Sequence, residues 1–500
     1  MYHLYPYSFM DTNGDGIGDL EGIIQKIDYL KDLGIGAVWI TPFFPSAWED
    51  YGYDVTDYCD IDPRFGTMET FLRLLFEAHR RNIKIILDFV PNHTSNLHPW
   101  FLESKSGRLS PKRDWYIWAD PRPCGGAPSE HQSVFGGSAW EFDSSCGQYY
   151  FHYFYKEQPD LNWRNPEVRR AMNEVLHFWL KRGVDGFRFD AVKHLSEKFL
   201  GYDSSSFPAR VLTEAERQDI FREWRKIVDS YGGVALGEGW ETDLSKWIKY
   251  YGDNLDAFHL PLNFFLMKTD WQASNIRKIV DEVEAALPRG AWANWALGNI
   301  DISRFSDRYG REFERLGAML LLTLRGTPII YYGEEIGMRD TLIPKDRTRD
   351  RWGRDPERTP MQWNDSRYAG FSSVEPWLPV HDNRKRVNVR AQDCDPTSLF
   401  SLYKKLILLR KSHAALQKGD YRSVGTSSES CFAYIRGVFG QRFLVVLNFS
   451  GETQYIKIED LDSEGLILLS TLLDREEACD LSRLSLRPYE GCLVEMASDG

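Results

Sequence analysis

Four short β-branched or aromatic runs end in ionisable residues: Leu87-Asp88-Phe-Val-Pro-Asn-His93, Phe187-Arg188-Phe-Asp190, Gly237-Glu238 and Gly298-Asn-Ile-Asp301. Each acid alone reads as a loop cap, since a short acid at a strand end readily takes up backbone N–H groups. Together, at the C-terminal ends of parallel strands, they would share one rim, the edge where such barrels keep their chemistry. Asp190 and Glu238 end successive runs of the core, so they would face each other across the mouth. A carboxylate pair about 5–5.5 Å apart is the geometry of glycoside cleavage with retention.

The elements that would position these groups alternate. Strands are expected at Tyr2–Phe9, Ala37–Thr41, Lys84–Phe89, Gly186–Asp190, Val234–Gly237, Ala257–Leu260, Trp292–Leu297 and Thr327–Tyr332. Helical periodicity fills Leu20–Leu33, Met68–Arg81, Pro166–Arg182, Glu214–Tyr231, Ala273–Leu287 and Phe313–Leu324 between them. Eight strands with helices between them predict an α/β fold, a (β/α)8 TIM barrel. The gap after the third strand is far longer than a βα loop needs, and its aromatic segments read as an inserted subdomain. After Gly419 the period becomes two, as in an all-β sandwich. The expected domains are therefore a barrel over 1–90 and 164–412, the insertion over 91–163, and a C-terminal β domain over 413–500.

Composition narrows the partners. The 500 residues carry 61 Lys and Arg against 73 Asp and Glu, a net charge of −12. An acidic surface argues against nucleic acid and anionic membrane as partners. Aromatics reach 14%, with 17 Trp, as suits stacking on a sugar-like ring. No uninterrupted apolar run reaches membrane-spanning length, and the start of the chain has no basic flank of the signal-peptide kind. Seven scattered cysteines without ligand spacing speak against structural zinc and for reduced thiols in the cytoplasm. The expected partner is a small oligosaccharide, with the chain a monomer or small homo-oligomer.

Taken together, Asp11-Thr-Asn-Gly-Asp-Gly-Ile-Gly-Asp-Leu20, Asp50-Tyr-Gly-Tyr-Asp54, Asp88-Phe-Val-Pro-Asn-His93, Gln158-Pro-Asp-Leu-Asn162, Gly186-Phe-Arg-Phe-Asp190, Gly237-Glu238 and Arg358-Thr-Pro-Met-Gln-Trp363 resemble the α-amylase family, glycoside hydrolase family 13. The similarity is to its α-glucosidase and oligo-1,6-glucosidase branch and covers nearly the whole chain. It implies the same barrel, insertion and β domain. It implies Asp190 as nucleophile, held ionised by Arg188, Glu238 as acid/base with a raised pKa, and Asp301 as a third acid gripping sugar hydroxyls. It also implies a pocket of Asp50, Tyr53, His93 and Arg358 around one terminal glucose, and so removal of single glucoses from chain ends. In that branch the small Ala191 beside the nucleophile goes with α-1,4 bonds. Other readings within reach of the same motifs are an α-glucosyl transferase and a lapsed glycosidase-like partner protein of the transporter heavy-chain kind.

Two further features stand out. Oxygen side chains at positions 1, 3, 5 and 9 of the Asp11–Asp19 segment follow the logic of a calcium loop. A structural Ca2+ (or Mg2+) would be held by Asp11, Asn13, Asp15, Asp19 and the carbonyl of Ile17, the alternative being an Asx-rich turn. The resembled seventh-strand motif has histidine where this chain has Ile300, and isoleucine cannot donate a hydrogen bond to a sugar.

Overall fold

The computed structural model describes residues 1–196, 212–438, 440–459, 461 and 464–496. Strands β1 (Tyr2–Leu4), β2 (Ala37–Ile40) and β3 (Lys84–Phe89) precede three short ones, β4 (Trp118–Ala119), β5 (Trp140–Asp143) and β6 (Gln148–Phe151). Then come β7 (Gly186–Phe189), β8 (Val234–Gly237), β9 (Leu260–Pro261), β10 (Asn294–Ala296) and β11 (Thr327–Tyr331). Eight of these form one sheet in the order β10-β11-β1-β2-β3-β7-β8-β9, the expected barrel. Several strands are shorter than expected. The first stops at Leu4 and passes into a 3-10 turn at Pro6–Ser8, because proline has no N–H for the ladder. The helix expected over Leu20–Leu33 divides into Leu20–Gln25 and Ile27–Asp32 at Lys26.

The chain folds as two compact units, Trp39–Glu241 with Lys246–Leu262, and Met1–Val38 with Thr242–Ser245 and Asn263–Gly500. In the first, β3, β7, β8 and β9 pair in parallel, with Asp88 beside Arg188 and Arg188 beside Leu236. Helix Met68–Arg80 buries Phe71, Leu74, Leu75 and Ala78 at helical spacing and is capped by Thr67. Helix Pro166–Leu180 starts at the Asn165 cap with proline in its first turn, where a missing N–H costs nothing. Helix Glu214–Asp229 opens with a reciprocal Thr213–Glu216 capping box. The insertion is a three-stranded antiparallel sheet, β4-β6-β5, around Ile117, Ala139, Trp140 and Phe151.

The second unit holds β1, β10 and β11 and the C-terminal β domain. That domain adds β12 (Asp420–Val424), β13 (Cys431–Val438), β14 (Gln441–Asn448), β15 (Gln454–Ile456), β16 (Glu464–Ser470), β17 (Glu477–Asp480), β18 (Leu484–Leu486) and β19 (Gly491–Met496). Six form an antiparallel sheet, β12-β13-β14-β19-β16-β17, and β15 pairs with β18. Ile456, Leu484 and Leu486 of the small sheet share a core with Leu444, Val446 and Val494 of the large one, so the expected sandwich has one full layer and one two-stranded layer. The seven cysteines are all free. Among the described residues, no helix is long and apolar enough to cross a membrane.

One buried histidine makes this fold sensitive to acid. Nδ1 of His98 accepts the Trp100 N–H at 3.1 Å, capping the helix Pro99–Lys105, and a ring nitrogen accepts only when unprotonated. Burial pushes the His98 pKa down to about 3. Because the unfolded value lies near 6.5, its contribution is full above that pH and shrinks as the pH falls towards 3. His98→Asn keeps a capping acceptor and removes the titration. Between pH 7 and 5 the parent should lose about 2 kcal/mol more stability than the variant in urea unfolding; equal losses would show that His98 does not titrate this way.

Candidate active site

Side chains alternate along β7. Phe187 and Phe189 are both fully buried, and Phe189 stacks on Trp224 at 4.7 Å, so Arg188 projects to the opposite face. Its guanidinium, 2% exposed, meets three carboxyl groups from three neighbouring strand ends. Nη1 lies 2.6 Å from Asp88 Oδ1 and 2.8 Å from Asp190 Oδ1, and Nη2 binds Glu238 Oε1. Asp88 Oδ2 accepts from the Tyr53 hydroxyl at 3.0 Å and from Trp39 Nε1 at 3.3 Å. The backbone continues the ladder past the strand ends: Asp190 N–H donates to the Phe89 carbonyl at 2.8 Å, and Glu238 N–H to that of Phe189 at 3.0 Å. Ala191, in a left-handed conformation at φ 50°, donates its N–H to Glu238 Oε2 at 3.1 Å.

Asp190 and Glu238 are held on the same guanidinium. Burial raises Asp190 well above the usual carboxylate range, Arg188 pulls it down, and the Glu238 and Asp88 charges raise it further. Burial likewise moves Asp88 up to about 6 against the pull of Arg188.

A second group lies alongside. Gln158 Nε2 donates to Asp50 Oδ2 at 2.9 Å and lies 3.0 Å from His93 Nε2, which is 3.1 Å from the Tyr53 carbonyl. Burial drives the His93 pKa down to about 3, so the ring is neutral. The Phe154 ring is 5.1 Å from His93 and 5.4 Å from His194, and Phe135 and Tyr153 flank it. Asp50, Tyr53, His93, Arg188, Asp190 and Glu238 thus come together as expected. Asp88, Trp39, Gln158 and Phe154 had been given no role. Asp88 and Gln158 stand in quoted motifs, a signal that could have found them; Trp39 and Phe154 stand among ordinary aromatics.

The remaining expected residues sit in the unit that carries the C-terminal β domain. Asp301 Oδ1 accepts from Arg354 Nη1 and Arg358 Nη2, each at 3.1 Å. Arg358 Nε donates to the Ile300 carbonyl at 2.8 Å, and the Ile300 side chain is buried. Arg354, unforeseen, pairs with Asp350 at 2.7 Å.

The family profile for the alpha-amylase catalytic domain matches residues 3–419. The chain belongs to the alpha-amylase family. It is 37% identical to an oligo-1,6-glucosidase of Parageobacillus thermoglucosidasius, over 98% of this chain and 97% of the relative. It is also 37% identical to the amino acid transporter heavy chain SLC3A1 of Homo sapiens, over 99% of this chain and 77% of the relative. Of solved structures, the trehalulose synthase MutB of Pseudomonas mesoacidophila MX-45 is similar at a TM-score of 0.90 and 33% identity, covering 99% of this chain and 98% of that one.

The glycine-rich loop of this family member is bound up in its own hydrogen bonds. Asp11 accepts from the N–H groups of Asn13, Gly14 and Gly16 and from the Ser372 hydroxyl, at 2.6–3.1 Å. Asp19 accepts from Thr12 and Gly22, and Asp15 from Ile17 and Asn13. Among the described residues, no three His, Cys, Asp or Glu side chains gather as a metal would require. What suits a hard cation is the donor chemistry, which is oxygen throughout.

The Asp88–Arg188 contact leads to a stability test. Removing Asp88 leaves Arg188 two carboxyl partners but takes an acceptor from the buried Tyr53 hydroxyl and Trp39 N–H, at a cost of about 1–3 kcal/mol. Asp88→Ala should cost that much in denaturant unfolding, and Asp88→Asn, which can still accept from Trp39 and Tyr53, clearly less. A loss below about 1 kcal/mol for Asp88→Ala would show that these two donors are satisfied without it.

Proposed function

We propose that the protein is a retaining, exo-acting α-glucosidase that cleaves terminal non-reducing α-glucosidic bonds of short oligosaccharides, α-1,4 bonds first. The observation that carries this reading is one buried guanidinium, that of Arg188, holding Asp190 and Glu238 at adjacent strand ends, the two carboxyl groups that a nucleophile and an acid require. In the first step Asp190 attacks the anomeric carbon as the bond to the leaving oxygen breaks, and Glu238 gives that oxygen its proton. In the second, Glu238 takes a proton from water, the water oxygen bonds to the anomeric carbon, and the glucosyl ester to Asp190 breaks. Arg188, 2.8 Å from Asp190, favours its ionised form. Asp301 and Arg358 are assigned to the glucose hydroxyls by the family pattern. The Asp50–Gln158 bond and the neutral His93 support a closed glucose pocket, and the methyl of Ala191 leaves room beside Glu238 for an α-1,4-linked sugar.

A second reading, a binding subunit without turnover, is favoured by Ile300, which removes an imidazole donor worth about 2.7–4 kcal/mol at a transition state. One experiment separates the two. Release from p-nitrophenyl α-glucoside, maltose and isomaltose is measured for the parent, Asp190→Asn and Ile300→His. The first reading expects turnover with maltose ahead of isomaltose, a loss of at least a thousandfold in Asp190→Asn, and a gain in Ile300→His. An inert parent with an inert Ile300→His would establish the second. Glucosyl transfer products exceeding free glucose would make the protein a transferase.

We assign Ca2+ (or Mg2+) to Asp11, Asn13, Asp15, Asp19 and the Ile17 carbonyl as a structural ion with no part in turnover. Binding the folded state alone stabilises it by mass action. EDTA should therefore lower the melting temperature by several degrees, and added Ca2+ restore it, with kcat of the folded enzyme unchanged. An unmoved melting temperature would leave the loop a plain Asx-rich turn. The free cysteines support a cytoplasmic location, and the net charge of −12 a carbohydrate rather than nucleic-acid or membrane partner. We take the protein to act as a monomer or small homo-oligomer.

A further inference from the structure

Asp54 takes no part in the mechanism above, yet it is fully buried. Its carboxylate collects three donors from the loop just before it. Oδ1 accepts from the Ser46 hydroxyl at 2.7 Å and the Asp50 N–H at 3.1 Å, and Oδ2 accepts from the Glu49 N–H at 3.0 Å. Ser46 in turn accepts the Trp48 N–H at 3.0 Å. This loop needs such a brace. Trp48 and Tyr51 are held in the left-handed region, at φ 64° and 48°, with Gly52 at 101°. Non-glycine residues stay there only where surrounding contacts hold them. A side chain at Gly52 would meet the Pro42 carbonyl at 2.9 Å.

The same loop carries two walls of the glucose pocket. Asp50 presents its carboxylate to Gln158 and Tyr53 its hydroxyl to Asp88, while the Tyr53 N–H closes on the Asp50 carbonyl at 3.1 Å. We infer that Asp54 is a positioning residue for sugar binding: by holding the main chain of Glu49 and Asp50 it sets where the Asp50 carboxylate and the Tyr53 ring meet the glucose. This rests on the glucose-pocket reading above. Asp54 acts only as an acceptor, so replacing one of its oxygens by an amide sets a donor against an N–H donor.

The test uses glucose as the probe, with binding to the whole protein followed by calorimetry and turnover of p-nitrophenyl α-glucoside measured beside it. Asp54→Asn should weaken glucose binding at least tenfold and raise KM by a similar factor, with kcat changed less than threefold. Ser46→Ala, which removes one of the three donors, should weaken binding a few-fold. A residue that merely supports folding would lower the active fraction, and so apparent kcat, without moving KM or the Kd of the folded molecules. Parent and Asp54→Asn binding glucose equally would overturn the inference and leave the pocket standing. A parent that binds no glucose would overturn the pocket reading and this inference with it.

Discussion

Nearly everything at the site depends on one buried guanidinium. Moving Arg188 out of water is costly, and the cost is offset only because Asp88, Asp190 and Glu238 all reach it. They come from the ends of three adjacent strands, so the ion cluster demands a particular parallel register. A slip of one residue in β7 would turn Arg188 towards the Trp224 side and send phenylalanine into the site. The aromatic packing of Phe187 and Phe189 and the ion cluster thus enforce the same register from opposite faces.

The cluster also sets the protonation of its surroundings. Three carboxyl groups outnumber one arginine, and burial penalises each negative charge. Burial, with that excess of carboxyl groups, raises Asp190 well above the usual carboxylate range. The neighbouring His93 stays neutral for the same reason, burial. Neutral polar groups that donate and accept suit sugar hydroxyls, which carry no charge to be matched.

Fold and chemistry are separable in this family. Relatives of similar closeness include a hydrolase, a sugar synthase and a transporter heavy chain on one scaffold. Ile300 shows how that separation can arise. Its carbonyl still anchors Arg358, and Arg358 and Arg354 still hold Asp301, because those bonds use backbone and neighbouring side chains. The isoleucine side chain itself adds no hydrogen-bond donor there.

The sequence by itself determined the alternation of strands and helices, the insertion, the C-terminal β domain and the identity of the acids at the strand ends. These follow from local signals: periods of two and 3.6, capping residues, and short acids after apolar runs. Strand limits were less legible, since Pro6 and the break at Lys26 act through hydrogen bonds as well as composition. Only the tertiary structure decided which groups meet. Gln158 finds Asp50 across 108 residues, Arg188 finds Asp88 across 100, and Arg354 and Arg358 both reach Asp301. It also placed Asp190 and Glu238 on one guanidinium, that of Arg188. Partner choice over such separations follows from packing and burial, which no local pattern encodes.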